Sequence, residues 1–173
     1  GEGVNSKPLS KAIASYERTI ISRISPFDKW VDGDKTALTE SEIAGFKLFV
    51  DPKKGNCEVC HSAPNFTDNG FHNIGLELVL EGDSDFGRYK IIPLNGLKGA
   101  FKTPTLRDIS YSSPYFHDGS SQTLEQVVEH YVDGWKGAEI LSLNIKPISL
   151  SESEVIDLTA FLNALSSPKE ALV

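Results

Sequence analysis

The only two cysteines of the chain, Cys57 and Cys60, stand in the stretch GNCEVCHSAPNFTDNGFHNIG (Gly55 to Gly75), and His61 follows them at once. C-x-x-C-H is the attachment signature of a c-type haem. The spacing has a chemical reason. Two thiols add to the two vinyl groups of the porphyrin, and the neighbouring imidazole then reaches the iron from one face. The competing uses of such a pair are a disulfide, a thioredoxin-like redox couple and half of a zinc site. A redox couple sits at a strand-to-helix turn in a βαβ pattern, which this sequence lacks. A structural zinc needs four ligands, and there is no second cysteine pair. Covalent haem is therefore the leading expectation, with one haem for the one motif. Its thioether bonds consume both cysteines and leave no disulfide. Such attachment is made outside the cytoplasm, so a periplasmic or equivalent location follows.

His61 supplies one axial ligand. A Met sulfur often supplies the other, but the chain contains no Met. The candidates are then His72, His117, His130, Tyr131, a lysine or an open position. In TLEQVVEHYVDG, the residues Leu124, Val127, Val128 and Tyr131 fall at i, i+3, i+4 and i+7, which is one face of a helix. His130 is turned from that face by about 100 degrees. The pattern alone leaves two readings of Tyr131: an iron ligand, or a core tyrosine beside a five-coordinate or water-bound iron.

The elements that must position these residues are legible from caps and periodicity. LTESEIAGFKLFV opens with Thr39 and Glu42 as a capping box, and Ile43, Phe46 and Val50 share a face. This helix runs into the cysteine motif. Thr123 with Gln126, and Ser151 with Glu154, open two further helices, with Gly134 as the stop of the first. The stripe Val155, Leu158, Leu162 and Leu165 marks the buried face of the second, before Pro168. Ahead of all three, LSKAIASYERTIISRI sets Ile13, Tyr16, Ile20 and Ile24 at helical spacing, with Pro26 ending the helix. Residues 64–120 are rich in Gly, Pro, Asn and Asp and predict long loops, with one short hairpin between Leu76 and Ile92. Loops of this length usually serve a function or wrap something. The expected fold is mainly α, a cytochrome c-like haem domain in which a large ligand replaces part of the core.

At 173 residues the chain is one domain's worth and builds a core without staples. It is 39% hydrophobic and 24% charged, as a globular protein is. No apolar run reaches the roughly 18 residues of a membrane span. The start, GEGVNSKPLSK, shows neither an initiator Met nor a signal peptide, so a processed protein or a fragment is expected. A net charge of -7 excludes nucleic acid and anionic lipid as partners and favours a basic or neutral one. Lys102 and Arg107 in FKTPTLR are candidates to pair with haem propionates, anions that need partners when buried.

The pieces AIASYERTIISRISPFDKW, LTESEIAGFKLFV, CEVCH, NFTDNGFHNIGL, FKTPTLRDISYSSPYFHDGSSQTLEQVVEHY and LSESEVIDLTAFLNAL together resemble the C-terminal haem domain of bacterial dihaem cytochrome c peroxidases and MauG enzymes. The resemblance covers nearly the whole chain. It implies two cytochrome c-like domains in the complete protein, with peroxide reduced at the N-terminal haem and electrons passed by the C-terminal one. This chain has a single C-x-x-C-H and begins about where the first domain would end. Residues 1–173 are thus expected to form one domain, with 1–30 as the connecting segment, and the peroxidatic haem to lie elsewhere. The partner implied is a second haem domain or subunit, or a redox protein, in a homo- or hetero-oligomer.

The resemblance also assigns residues. Tyr131 occupies the place of the peroxidases' Met ligand, and MauG-type enzymes carry a Tyr there. A phenolate is a hard anionic donor that favours ferric over ferrous iron and lowers the potential, which suits an oxidising enzyme. His72 in FHNIG and His117 in PYFHDG lie in family motifs and are expected to position loops or propionates. The family's calcium takes two backbone carbonyls that fall at Ser112 and Pro114, with a further ligand from the other domain, so this chain alone lacks the full set. The leading expectation is an electron-transfer haem domain of a peroxide-reducing oxidoreductase. The alternatives are a stand-alone monohaem electron carrier and an inert haem-binding subunit.

Overall fold

The computed structural model describes residues 5–22, 24–76, 85–134 and 141–168. In chain order its elements are α1 (Ser6–Glu17), α2 (Pro26–Val31), α3 (Glu40–Val50), β1 (Phe71–His72), β2 (Phe101–Lys102), α4 (Leu124–Asp133) and α5 (Glu152–Ala164), with four short 3-10 turns between them. The mainly helical expectation holds. The three capping boxes form as the sequence announces, at Thr39, Thr123 and Ser151. Each leaves two N-terminal amides satisfied, which fixes where the helix begins.

α1 departs from expectation. It stops at Glu17, short of Ile20 and Ile24, where Thr19 caps the Tyr16 carbonyl through both its amide and its hydroxyl. The β-branched run Thr19-Ile20-Ile21 disfavours continuation. Pro26 does not merely follow a helix: it is the first residue of α2, where its missing N–H costs nothing. Ser25 and Asp28 close a fourth box there.

The core lies between α3 and α5, with α4 on its flank. Val155, Leu158, Leu162 and Leu165 are all buried, as the stripe predicts. Phe161 joins them from the same helix, at 0% exposure, and meets Phe27 at 5.5 Å and Phe49 at 5.1 Å between ring centroids. Gly45 lets α3 approach α5 this closely. A Cβ there would overlap the Asp157 carbonyl and stand 2.7 Å from the Cβ of Phe161. Gly45→Ala must push the two helices apart. It is expected to cost about 1–3 kcal/mol of stability, read as a lower urea midpoint at unchanged slope.

The loops cross the core on the side of the cysteine motif. β1 and β2 pair antiparallel, Phe71 opposite Lys102 and His72 opposite Phe101. This is not the hairpin expected between Leu76 and Ile92, of which residues 77–84 lie outside the described residues. Asn73, 7% exposed, ties the loops together. Its amide nitrogen donates to the Lys98 carbonyl at 2.8 Å, its backbone N–H to Ser142 Oγ at 2.9 Å, and its Oδ1 accepts from Gly75 N–H at 2.9 Å. Among the described residues no helix is long and apolar enough to cross a membrane.

Candidate functional site

Beyond α3 the chain folds back on the helix. Gly55 N–H donates to the Leu48 carbonyl at 3.0 Å. A Cβ on Gly55 would lie 2.6 Å from that carbonyl oxygen and 3.2 Å from Cys57 Sγ, so a side chain here would displace Cys57. Asn56 takes the left-handed conformation, and Cys57–Val59 form a 3-10 turn. Cys60 and His61 both donate their N–H to the Cys57 carbonyl, at 3.2 and 2.8 Å. The turn thus presents both thiols and the imidazole from one rigid corner. Both cysteines are free. Burial pushes the Cys57 thiol up to about 12, with the neighbouring Cys60 adding to it. Burial also raises Cys60, helped by the charge of Asp68 and opposed by a hydrogen bond from Asn144.

His61 Nδ1 lies 2.9 Å from the Phe66 carbonyl oxygen. A carbonyl can only accept, so the proton is on Nδ1 and Nε2 keeps its lone pair for a metal. Burial lowers the His61 pKa, partly offset by the Phe66 carbonyl and by Asp68, and favours the neutral, ligating form. Phe66 is 2% exposed and packs on Phe27 and Phe49.

Tyr131 comes to the same place from α4. Leu124 and Val128 of its face are buried and Val127 packs on the core. Burial raises the phenol well above the usual tyrosine range, and the charges of Cys57 and then Cys60 raise it further. A phenol that senses both thiols stands on the cysteine side. His130 donates from Nε2 to the Ile74 carbonyl at 2.9 Å, packs on Phe116, and meets the Tyr131 ring edge-on at 5.2 Å between centroids. The fold therefore brings Cys57, Cys60, His61 and Tyr131 together.

The other candidates are placed as follows. His72 pairs with Asp68 at 2.8 Å. The ligand atoms of Cys60, Asp68 and His72 lie within 4.8 Å of one another, a cluster that a thioether at Cys60 would dissolve. Lys102 donates to the Thr103 carbonyl at 3.0 Å. Arg107 is engaged by the Asp28 carboxylate and the Pro64 carbonyl. His117 stacks on Phe101, 3.5 Å between centroids. Ser112 and Pro114 are exposed. An open cleft of about 730 Å³ lies between Ile20, Ile24, Asp28, Pro64, Lys102 and Arg107. Neither cysteine, nor His61, nor Tyr131 lines it. Sequence reasoning missed the Phe66 carbonyl, Asp28 and Asn73. Of these only Asn73 carried a signal, as the polar neighbour of His72 in FHNIG.

Two free thiols, an imidazole with Nδ1 committed, and a half-buried tyrosine whose phenol senses both thiols fit a covalently attached haem. With the helical frame around them they define a cytochrome c-like domain. Methylamine utilization protein MauG of Methylophilus methylotrophus is 42% identical over 166 residues, covering 95% of this chain and 48% of that protein. Cytochrome-c peroxidase IdrP1 of Denitromonas iodatirespirans is 35% identical over 184 residues, covering 90% and 48%. The crystal structure of a MauG-like protein associated with microbial copper homeostasis superposes with a TM-score of 0.80 at 30% identity, over 90% of this chain and 51% of that one. No family model matches. The chain belongs to the family of MauG and bacterial cytochrome-c peroxidases. It spans about half the length of these relatives. They support the oxidoreductase reading and not that of a stand-alone carrier.

Proposed function

We propose that this chain is the electron-transfer haem domain of a two-haem oxidoreductase that reduces hydrogen peroxide at a second haem carried outside residues 1–173. The observation that carries the proposal is the turn Cys57–His61, in which His61 Nδ1 is committed to the Phe66 carbonyl at 2.9 Å and Nε2 is left for a metal. Cys57 and Cys60 would anchor one haem, and His61 Nε2 and the Tyr131 oxygen would be the ligands offered to its iron. When bound, that haem supplies one-electron chemistry. The chain's own residues orient and close the site. The Phe66 carbonyl sets the His61 ring, and Tyr131, as a ligand, would leave peroxide no open position.

The connecting role of residues 1–30 has its own support. α1 buries none of its residues, and Leu9, Ile13 and Tyr16 are 51%, 50% and 69% exposed. A stripe of this kind calls for a cover, and a second haem domain or subunit is the occupant proposed. That partner would also complete the calcium site begun by the carbonyls of Ser112 and Pro114. A location outside the cytoplasm accompanies haem c.

The native assembly is expected to hold two haems, one of them on this chain, by pyridine haemochrome assay. The isolated haem-loaded chain should turn over peroxide slowly with a reduced cytochrome donor. A single haem in the native assembly, or fast turnover by the isolated chain, would overturn the proposal.

A further inference from the structure

Three consecutive peptide carbonyls beyond the cysteine motif are each held by a different side chain. Arg107 Nε–H donates to the Pro64 carbonyl at 2.9 Å, Thr105 Oγ1–H to that of Asn65 at 2.6 Å, and His61 Nδ1–H to that of Phe66 at 2.9 Å. Arg107 Nη1 also lies 2.8 and 2.6 Å from the two carboxylate oxygens of Asp28. Its guanidinium carbon stands 5.1 Å from the centroid of the Phe66 ring. Phe66 has φ +52°, a conformation that a bulky residue keeps only under constraint. Asp28 is fixed in turn by Ser25, whose backbone N–H and hydroxyl donate to Oδ2 at 2.9 and 2.7 Å. Burial alone would raise the Asp28 carboxyl. The bonds from Arg107 and Ser25 outweigh burial and hold it below its usual range, so the pair stays charged at neutral pH.

We infer that Arg107 and Asp28 are positioning residues for the iron ligand: they clamp the loop 64–66 so that the Phe66 carbonyl fixes the direction and strength of the His61 Nδ1 hydrogen bond. The inference rests on the proposal that His61 ligates the iron. A hydrogen bond weakens steeply once its geometry tilts. A ring that donates Nδ1–H to a well-placed acceptor is a stronger donor to the metal through Nε2, and a stronger donor favours the ferric state. Arg107 grips the first carbonyl of the loop with one arm and α2 with the other. The acceptor of His61 therefore sits two peptides from an ion pair with the connecting segment. A displacement of α2 would reach the iron ligand through that pair, and also through Phe27, which packs on Phe66 at 5.5 Å between ring centroids.

Removing one charge alone would shift the iron's potential by simple electrostatics, so the test removes both. In the haem-loaded protein carrying Asp28→Asn and Arg107→Gln, the net charge is unchanged. The iron-shifted His61 Nδ1–H resonance is expected to exchange with solvent at least about tenfold faster, as a bond no longer held in line is opened more often. The midpoint potential should rise, with the haem still covalently attached. Arg107→Lys keeps the charge beside Asp28 but loses the arm to Pro64, and should move both readings in the same direction by less. If the double variant does not fold, Arg107→Lys decides on the same two measurements. Exchange and potential both equal to those of the unaltered protein would overturn the clamp. Absence of an iron-shifted His61 resonance in the unaltered protein would instead defeat the assignment of His61, and the clamp with it.

Discussion

Tyr131→Phe is expected to leave the helix packing in place, open one axial position, change the ferric spectrum and raise the reduction potential. The phenol of free tyrosine has a pKa near 10, so deprotonating it at pH 7 costs about 4 kcal/mol. In this fold the cost is higher, because burial pushes the phenol up. Bonding to ferric iron must offset the whole of it. Ferrous iron carries one charge fewer and offsets less, so the oxidised state holds the ligand more tightly. A ligand fully bound in the ferric state and released in the ferrous has a net preference of at least about a hundredfold. That is roughly 120 mV at about 59 mV per tenfold for one electron. The rise should therefore reach at least this size, measured by spectroelectrochemical titration. An unchanged ferric spectrum and potential would remove Tyr131 as the ligand. His72, paired with Asp68, and His117, stacked on Phe101, would then be next.

The second large effect is loss of the haem itself. Acid-acetone extraction of the native protein is expected to leave all haem on the polypeptide. The variant with Cys57→Ala and Cys60→Ala should release all of it. Cys57 also packs against the buried cluster around Phe49 and Val128. Among the described residues, the loops between 64 and 120 contain four residues of strand, in β1 and β2. They have little regular structure of their own to hold them once the group they wrap is gone. The variant should accordingly lose cooperative thermal unfolding as well as colour. Haem that extracts freely from the native protein would refute covalent attachment.

Some of this architecture could be seen in the sequence because its causes are local. A box such as Ser151 with Glu154 closes within one turn, and the stripe from Val155 to Leu165 repeats on one face, so the start and buried face of α5 were legible. The C-x-x-C-H turn and the apolar face of α4 were legible for the same reason: five consecutive residues in one case, a helical repeat in the other. What escaped is long-range. Arg107 meets Asp28 across 79 positions, and the Phe71–Lys102 pairing joins loops that share no pattern. The acceptor of His61 is a backbone carbonyl, which no residue type reveals. α1 failed in another way. Its apolar spacing continues to Ile24, but periodicity says which face is apolar and not what covers it, and here the helix ends where no neighbour holds it.

The four capping boxes differ in one chemical respect. In α2, α3 and α5 the reciprocal partner is a carboxylate: Asp28, Glu42 and Glu154. In α4 it is the amide of Gln126, which does not titrate. Lys54 and Ser151 hold Glu154 below its ordinary pKa, and Asp28 is held low as well. A carboxyl depressed by folding stabilises the fold above its unfolded pKa and loses that contribution as the pH falls through the folded value. Acid therefore loosens the starts of α2 and α5 while leaving the start of α4 intact. The helix that carries Tyr131 is anchored by a cap indifferent to protons, so acidification should slacken the scaffold around the tyrosine before it releases the tyrosine's own helix.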